Sequence, residues 1–310
     1  MKYFFPLPSY KGSMGIKNLS KLLAKVAPAC RRERVVADYA GQRLAIDTPI
    51  YMWKFASMTN GNPLRCFREQ LREFRTHRIT PMYVFDGAAA PAKLEEVARR
   101  REQRAGTKNA MFAARKQYLN MRQSGGMMTR SQIRELSTAK QRYEKLRRRV
   151  QSVPTRAHYD GLRHFLREQQ VAFFEAEGDA EKVCAELVGK GEADAAVTDD
   201  YDALVYMCTL AEGSGKMVIG INRPTVVEYD VADMLREIQF DSPQFVDMCI
   251  LSGCDFCNKI GGVACNRAFQ LVSEHGSIEN ILENLDPEKF SVPQIFDYLA
   301  ARDQFGLKSE

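Results

Sequence analysis

Short apolar runs in alternation with helical stretches constrain this chain more than any other feature. Residues 44–46, 82–85, 171–174, 193–197 and 217–219 are apolar runs of strand length with β-branched or aromatic content. Such runs suit strands covered on both faces, as in a parallel sheet. Between them, at 19–26, 67–76, 158–167 and 180–188, apolar residues recur at helical spacing. The alternation predicts a three-layer α/β domain with a mostly parallel sheet.

Acids fall where such a sheet would place a ligand. Asp47 and Asp86 each close a predicted strand, Asp179 and Glu181 open a helix, Asp200 and Asp202 follow the run at 193–197, and Asp255 follows the run at 249–254. Open α/β sheets bind ligands beyond the carboxyl ends of their strands. One Asp after a strand is an ordinary helix cap. Seven carboxylates on one rim would repel one another unless cations neutralised them. Oxygen-only ligands point to Mg²⁺ or Mn²⁺ rather than zinc. Two such ions roughly 3.5–4 Å apart are the usual device for in-line displacement at phosphorus. Two divalent ions leave seven carboxylates about three charges negative, so a phosphodiester also needs cationic side chains nearby.

The chain supplies them in one place. Its 45 Lys and Arg against 39 Asp and Glu give a net charge of only +6. Residues 93–149 alone hold 17 basic and five acidic residues, a balance of +12, and the remainder sums to −6. Residues 91–150 are almost free of strand signals and are broken at Ser124-Gly125-Gly126. They predict two basic helices joined by a hinge and inserted into the α/β domain. A charge run is usually a solvated face, but 17 against five is no balanced salt-bridge surface.

Several chemistries are set aside. Residues 1–13 lack an apolar stretch and carry Pro6 and Pro8, so no signal peptide is expected. No run approaches the ~20 apolar residues of a membrane helix. Eight cysteines are too few for a disulfide scaffold and suit a reducing cytosol or nucleus. The spacing of Cys249, Cys254, Cys257 and Cys265 fits no common zinc pattern. Residues 213–216 (GSGK) lack the first Gly and the final Ser/Thr of a phosphate-binding loop, and the four histidines have no evident nucleophile. Residues 241–285 predict helix, glycine turn and helix, at 245–252, 261–263 and 268–274. The tail after Pro287 reads as short and polar.

Six motifs in order, 14–19 (MGIKNL), 45–48 (AIDT), 83–87 (YVFDG), 179–181 (DAE), 198–202 (TDDYD) and 251–257 (LSGCDFC), resemble the flap endonuclease/XPG family of structure-specific 5′ nucleases. The compact form resembles members encoded by large DNA viruses, which would add a viral replication site to the compartments considered. The resemblance runs from Met14 to about residue 282. It implies a PIN-like nuclease core with an inserted basic helical arch and a C-terminal helix–two-turn–helix. The expected organisation is an extension (1–13), an N-terminal nuclease region (14–90), the arch (91–155), an internal nuclease region (156–240), the helix–two-turn–helix (241–285) and a tail (286–310).

The resemblance implies residue roles as well. Asp47, Asp86, Asp179, Glu181, Asp200, Asp202 and Asp255 would hold two Mg²⁺ ions, for which Mn²⁺ can substitute. Lys93 and Arg100 would contact the scissile phosphate. Trp53 matches a position that stacks an unpaired base, and a core tryptophan is the other reading. Gly261, Gly262, Val263, Asn266 and Arg267 lie at the turn that would grip duplex phosphates and hold K⁺. There Ala264 replaces a second Gly and Cys265-Asn266 replace Pro-Lys, while Asp179 stands where Glu is usual. The 47–86 segment is shorter than in flap endonucleases proper, which bears on double-flap preference. The implied partner is branched or flapped DNA. No sliding-clamp peptide is evident, and the oligomeric state is left open. A non-catalytic branched-DNA scaffold and a PIN-like ribonuclease are the alternatives.

Overall fold

The computed structural model describes residues 15–88, 93–123, 128–211 and 213–307. The extension 1–13, Met14, the glycine break at 124–126 and residues 308–310 lie outside the described residues.

Among the described residues seven strands form one sheet: β1 Arg31–Arg34, β2 Arg43–Asp47, β3 Thr80–Phe85, β4 Phe173–Glu175, β5 Ala195–Val197, β6 Lys216–Ile219 and β7 Val226–Asp230, in the order β1-β7-β6-β5-β2-β3-β4. β6, β5, β2, β3 and β4 pair in parallel, and β7 alone runs against the rest. The expected mostly parallel sheet is present. Its antiparallel edge is silent in the sequence because β1 is the charged run RRER, with no apolar face to signal a strand. Arg32 and Arg34 instead pair with Asp230, Asp233 and Glu228 on and beside β7.

Alternation along the strands sorts the core into two layers, since successive side chains point to opposite faces. Leu44, Ile46, Tyr83, Phe85, Ala195 and Val197 face one side, against α2 (Thr48–Met58), α3 (Pro63–Thr76) and a later helix, Arg156–Glu168. Ala45, Met82, Val84 and Ala196 face the other side, against α1 (Leu19–Val26) and helices from the second half of the chain.

Between β3 and β4 stand two long helices, α4 (Leu94–Gln123) and α5 (Arg130–Gln151), followed by α6, the helix Arg156–Glu168. At 30 residues, α4 is about 45 Å long. Its contact with α5 includes stacked Tyr118 and Tyr143 rings, 6.1 Å apart at 12°. Thr129 caps α5 and exchanges hydrogen bonds with Gln132, which fixes where the second helix starts.

The second half adds α7 (Ala180–Gly189), α8 (Asp202–Leu210), α9 (Val231–Ile238), α10 (Ser242–Ser252), α11 (Cys265–His275), α12 (Ile278–Asn284) and α13 (Tyr298–Gln304). The tail is not the polar appendage expected. Phe305 is fully buried against Phe256 and Tyr206, and Arg302 on α13 forms paired hydrogen bonds to both Asp247 on α10 and Glu279 on α12. The apolar residues Phe290, Phe296, Tyr298, Phe305 and Leu307 are spaced too irregularly to announce this, yet all pack on the core. Among the described residues no helix is long and apolar enough to cross a membrane.

Candidate active site

β2 lies between β5 and β3, and connections leave it in both directions, so the carboxyl ends of these three strands form the switch point of the sheet. Asp47 is the last residue of β2, and its Oδ1 accepts from the Ile50 amide as α2 begins. Its other oxygen accepts from the Thr198 hydroxyl at 2.6 Å. Asp86 follows β3 and accepts from the Ala180 amide at 3.0 Å, at the start of α7. Asp179 holds the N-cap position of α7 without capping it, which leaves its carboxylate free to face Lys93. Asp200 accepts from the Asp202 amide at 3.1 Å, and Asp255 lies in the loop after α10. Gly15 approaches so closely, at a φ of +68°, that any side chain there would run into Asp200 and Asp202.

The charges confirm that the acids feel one another. Burial, and then Asp86, push the Asp47 carboxyl up to about 7, against the stabilising bond from Thr198. Burial likewise pushes Asp86 and Asp200 up to about 6. Glu181 and Asp202 rise well above the carboxylate range, from burial first and Asp200 second. Among the described residues Asp202 Oδ1 is buried without a hydrogen-bond partner. A crowded, oxygen-only set with an orphaned carboxylate oxygen fits a hard divalent cation. Among the described residues no three Asp, Glu, His or Cys groups close tightly enough to enclose an ion by themselves. All eight cysteines are free thiols.

The cation already at the cluster is Lys93. Its ammonium donates to Asp179 at 2.8 Å, lies 3.8 Å from Glu181 and rests 4.6 Å from the centre of the Phe256 ring. Burial works against its charge, but Glu181 and Asp179 outweigh burial and raise its pKa. Seven residues after Lys93, on α4, Arg100 reaches Asp255 at 3.1 Å. Beyond them opens a cleft of about 940 Å³ between the base of the arch and the α/β body, lined among others by Trp53, Arg99, Arg104, Lys108, Arg149 and Lys259. Trp53 is half-buried on α2 at the edge of this cleft rather than in the core.

The turn residues form a second locus. Gly261 exchanges both backbone hydrogen bonds with Ser291, so its amide and carbonyl are already engaged. Gly262 is exposed at a φ of +85°, Asn266 is exposed, and Arg267 lies over the Phe290 ring at 5.4 Å. Val263 is 1% exposed, so its side chain serves the core and not a ligand.

Some contributors carry little or no signal in the sequence. Thr198 orients Asp47, and its place directly before Asp199-Asp200 is the available signal. Lys54 pairs with Asp199 beneath the acids, tying α2 to the loop that carries Asp200 and Asp202. Phe256 behind Lys93 has no signal beyond its place after Asp255.

Two known domains match this chain: the XPG N-terminal domain over residues 14–107 and the XPG I-region over residues 170–255. All seven acids, with Lys93 and Arg100, fall within these segments. Flap endonuclease 1 of Homo sapiens is 34% identical over 310 residues, covering 94% of this chain and 74% of that protein. Flap endonuclease 1 of Glycine max is 32% identical over 312 residues, again covering 94% and 74%. The fold resembles the catalytic core of Rad2 in complex with DNA substrate, with a TM-score of 0.63 and 19% identity over 89% of this chain and 75% of that one. It also resembles flap endonuclease-1 from Methanococcus jannaschii, with a TM-score of 0.56 and 17% identity over 94% of this chain and 90% of that one.

Proposed function

This chain belongs to the flap endonuclease/XPG family, and from that membership we propose a structure-specific 5′ nuclease that hydrolyses DNA phosphodiesters at 5′ flaps or junctions. It is a divalent-metal-dependent enzyme acting on branched DNA. The observation that carries the reading is the gathering of seven carboxylates at the sheet rim directly beneath two cationic side chains of the arch.

Asp47, Asp86, Asp179, Glu181, Asp200, Asp202 and Asp255 would hold two Mg²⁺ ions. Bound there, the ions supply positive charge to the entering and leaving oxygens of an in-line displacement at phosphorus. The protein's own part is to place the DNA. Lys93 and Arg100 turn from their acids toward the scissile phosphate and balance its growing charge, with the Arg100 fork suited to two phosphate oxygens. Thr198 keeps Asp47 aimed at the rim. The cationic cleft draws in the 5′ single strand along its backbone, without regard to sequence. Trp53 offers a flat face to an unpaired base. Gly262, Asn266 and Arg267 approach the adjoining duplex through phosphates, whereas Gly261 serves to anchor the tail. A K⁺ at this turn rests on the family resemblance, and the engaged Gly261 carbonyl narrows the oxygens open to it. Free thiols suit work in a reducing cytosol or nucleus.

End-labelled flap, nicked, gapped, four-way and single-stranded DNAs, incubated with Mg²⁺ and with EDTA, test the proposal. Cleavage of flaps or junctions with Mg²⁺ alone is expected. Cleavage of none, or equal cleavage in EDTA, overturns it.

A further inference from the structure

Trp53 is the only tryptophan in the chain, and its ring is covered. The guanidinium carbon of Arg104 lies 4.5 Å from the ring centroid. The two side chains come from different parts of the molecule. Trp53 stands on α2, six residues after Asp47, and Arg104 stands on α4, one turn beyond Arg100. Both line the cleft between arch and body, beside Arg99, Lys108 and Arg149.

A guanidinium lying on an indole is held by the ring's negative face and by flat contact, strongly when dry and weakly when wet. Here the cleft is open and Arg104 is solvent-exposed, so the contact is of the weak, exchangeable kind. The face it covers also suits a nucleobase, which stacks on aromatic rings regardless of sequence. Arg104 loses little in giving the ring up, because its planar fork suits the phosphates that arrive with the base.

We propose that Arg104 is the placeholder on Trp53. It covers the ring in the free protein, yields it to an unpaired base of the entering strand, and transfers its charge to a phosphate. Arg104 is thus a specificity-determining residue: a fully paired duplex brings no free base to displace it. The exchange rests on the nuclease reading, whereas the covered ring does not.

Because Trp53 is the sole tryptophan of this chain, the chain's intrinsic tryptophan emission and acrylamide quenching report on this ring alone. Without DNA, Arg104→Ala should raise the acrylamide quenching constant roughly two-fold, and Arg104→Lys should fall between, since an ammonium stacks less well. In EDTA, a 5′-flap DNA should quench and shield Trp53, and a paired duplex of equal length should do so far less. Wild type and Arg104→Ala should become alike once the flap is bound. Unchanged emission and quenching in DNA-free Arg104→Ala overturns the covered ring. Equal responses to flap and duplex, or bound states as different as the free ones, overturn the exchange. A protein that binds none of these DNAs refutes the nuclease reading and the exchange together, and the DNA-free comparison still decides the contact.

Discussion

Lys93 rests on the ring of Phe256, its ammonium 4.6 Å from the ring centre, while it donates to Asp179 at 2.8 Å. Phe256 is in turn backed edge-on by Phe305, 4.9 Å away and fully buried just beyond α13. A line of contacts therefore runs from the C-terminal helix to the cation at the centre of the acids. The tail that reads as short and polar in sequence supports the floor of the site.

Phe256→Leu keeps an apolar side chain but removes the ring from beneath Lys93. We expect single-turnover cleavage to slow roughly three- to ten-fold, in keeping with a lost cation–π contact, while flap binding stays unchanged. Phe256→Tyr should restore most of the rate. A loss of binding that matches the loss of rate would count against this role.

Lys93→Ala removes a charge aimed at the phosphate and should slow the chemical step by about 10²- to 10³-fold at saturating DNA. Arg100→Ala should act on the same step, and the double variant should lose less than the product of the two, since both serve one phosphate. An unchanged single-turnover rate for Lys93→Ala would remove that residue from the mechanism.

Arg302→Ala leaves Asp247, 2% exposed, with only the Ile278 amide to answer its charge, and half-exposed Glu279 loses its cationic partner. Breaking a buried pair in this way costs on the order of 3 kcal/mol, most of it from Asp247. Denaturant unfolding should show the loss as a lower midpoint. If α13 loosens, Phe305 withdraws from Phe256 and cleavage should fall below what the stability loss explains. A midpoint equal to wild type would show that the latch is dispensable.

The acids make stability depend on pH in an unusual direction. Folding raises Asp47 to about 7 and Asp86 and Asp200 to about 6, foremost through burial. Above the ordinary carboxylate pKa of about 4, the folded chain keeps protons that the unfolded chain has released. Their contribution is full below that value and is lost as pH rises through 6 and 7. The melting temperature of metal-stripped protein should therefore fall between about pH 5 and pH 8, and Mg²⁺ should raise it more at the upper end. A melting temperature that climbs over this range without metal would contradict the crowding described.

Much of this site is legible in the order of residues alone. Asp47, Asp86, Asp200 and Asp202 sit at strand ends, and a parallel sheet leaves strand ends only one rim to share. The arch is legible from its charge balance. Three-dimensional partnerships leave no such trace. Arg104 meets Trp53 only because the fold brings the base of α4 near α2, and no spacing in the chain reports that approach. β1 hides behind three arginines, because pairing with acids, and not an apolar face, holds it to β7. Gly261 has the sequence signature of a phosphate contact, yet Ser291 takes both of its backbone groups.

The most direct measurement compares wild type with Asp86→Ala and Asp200→Ala on a labelled 5′ flap, with Mg²⁺, under single-turnover conditions and with binding measured in parallel. Both variants should bind the flap within a few-fold of wild type and cut it at least about 10³-fold more slowly. Normal cleavage by both would mean that these carboxylates are not where the chemistry happens.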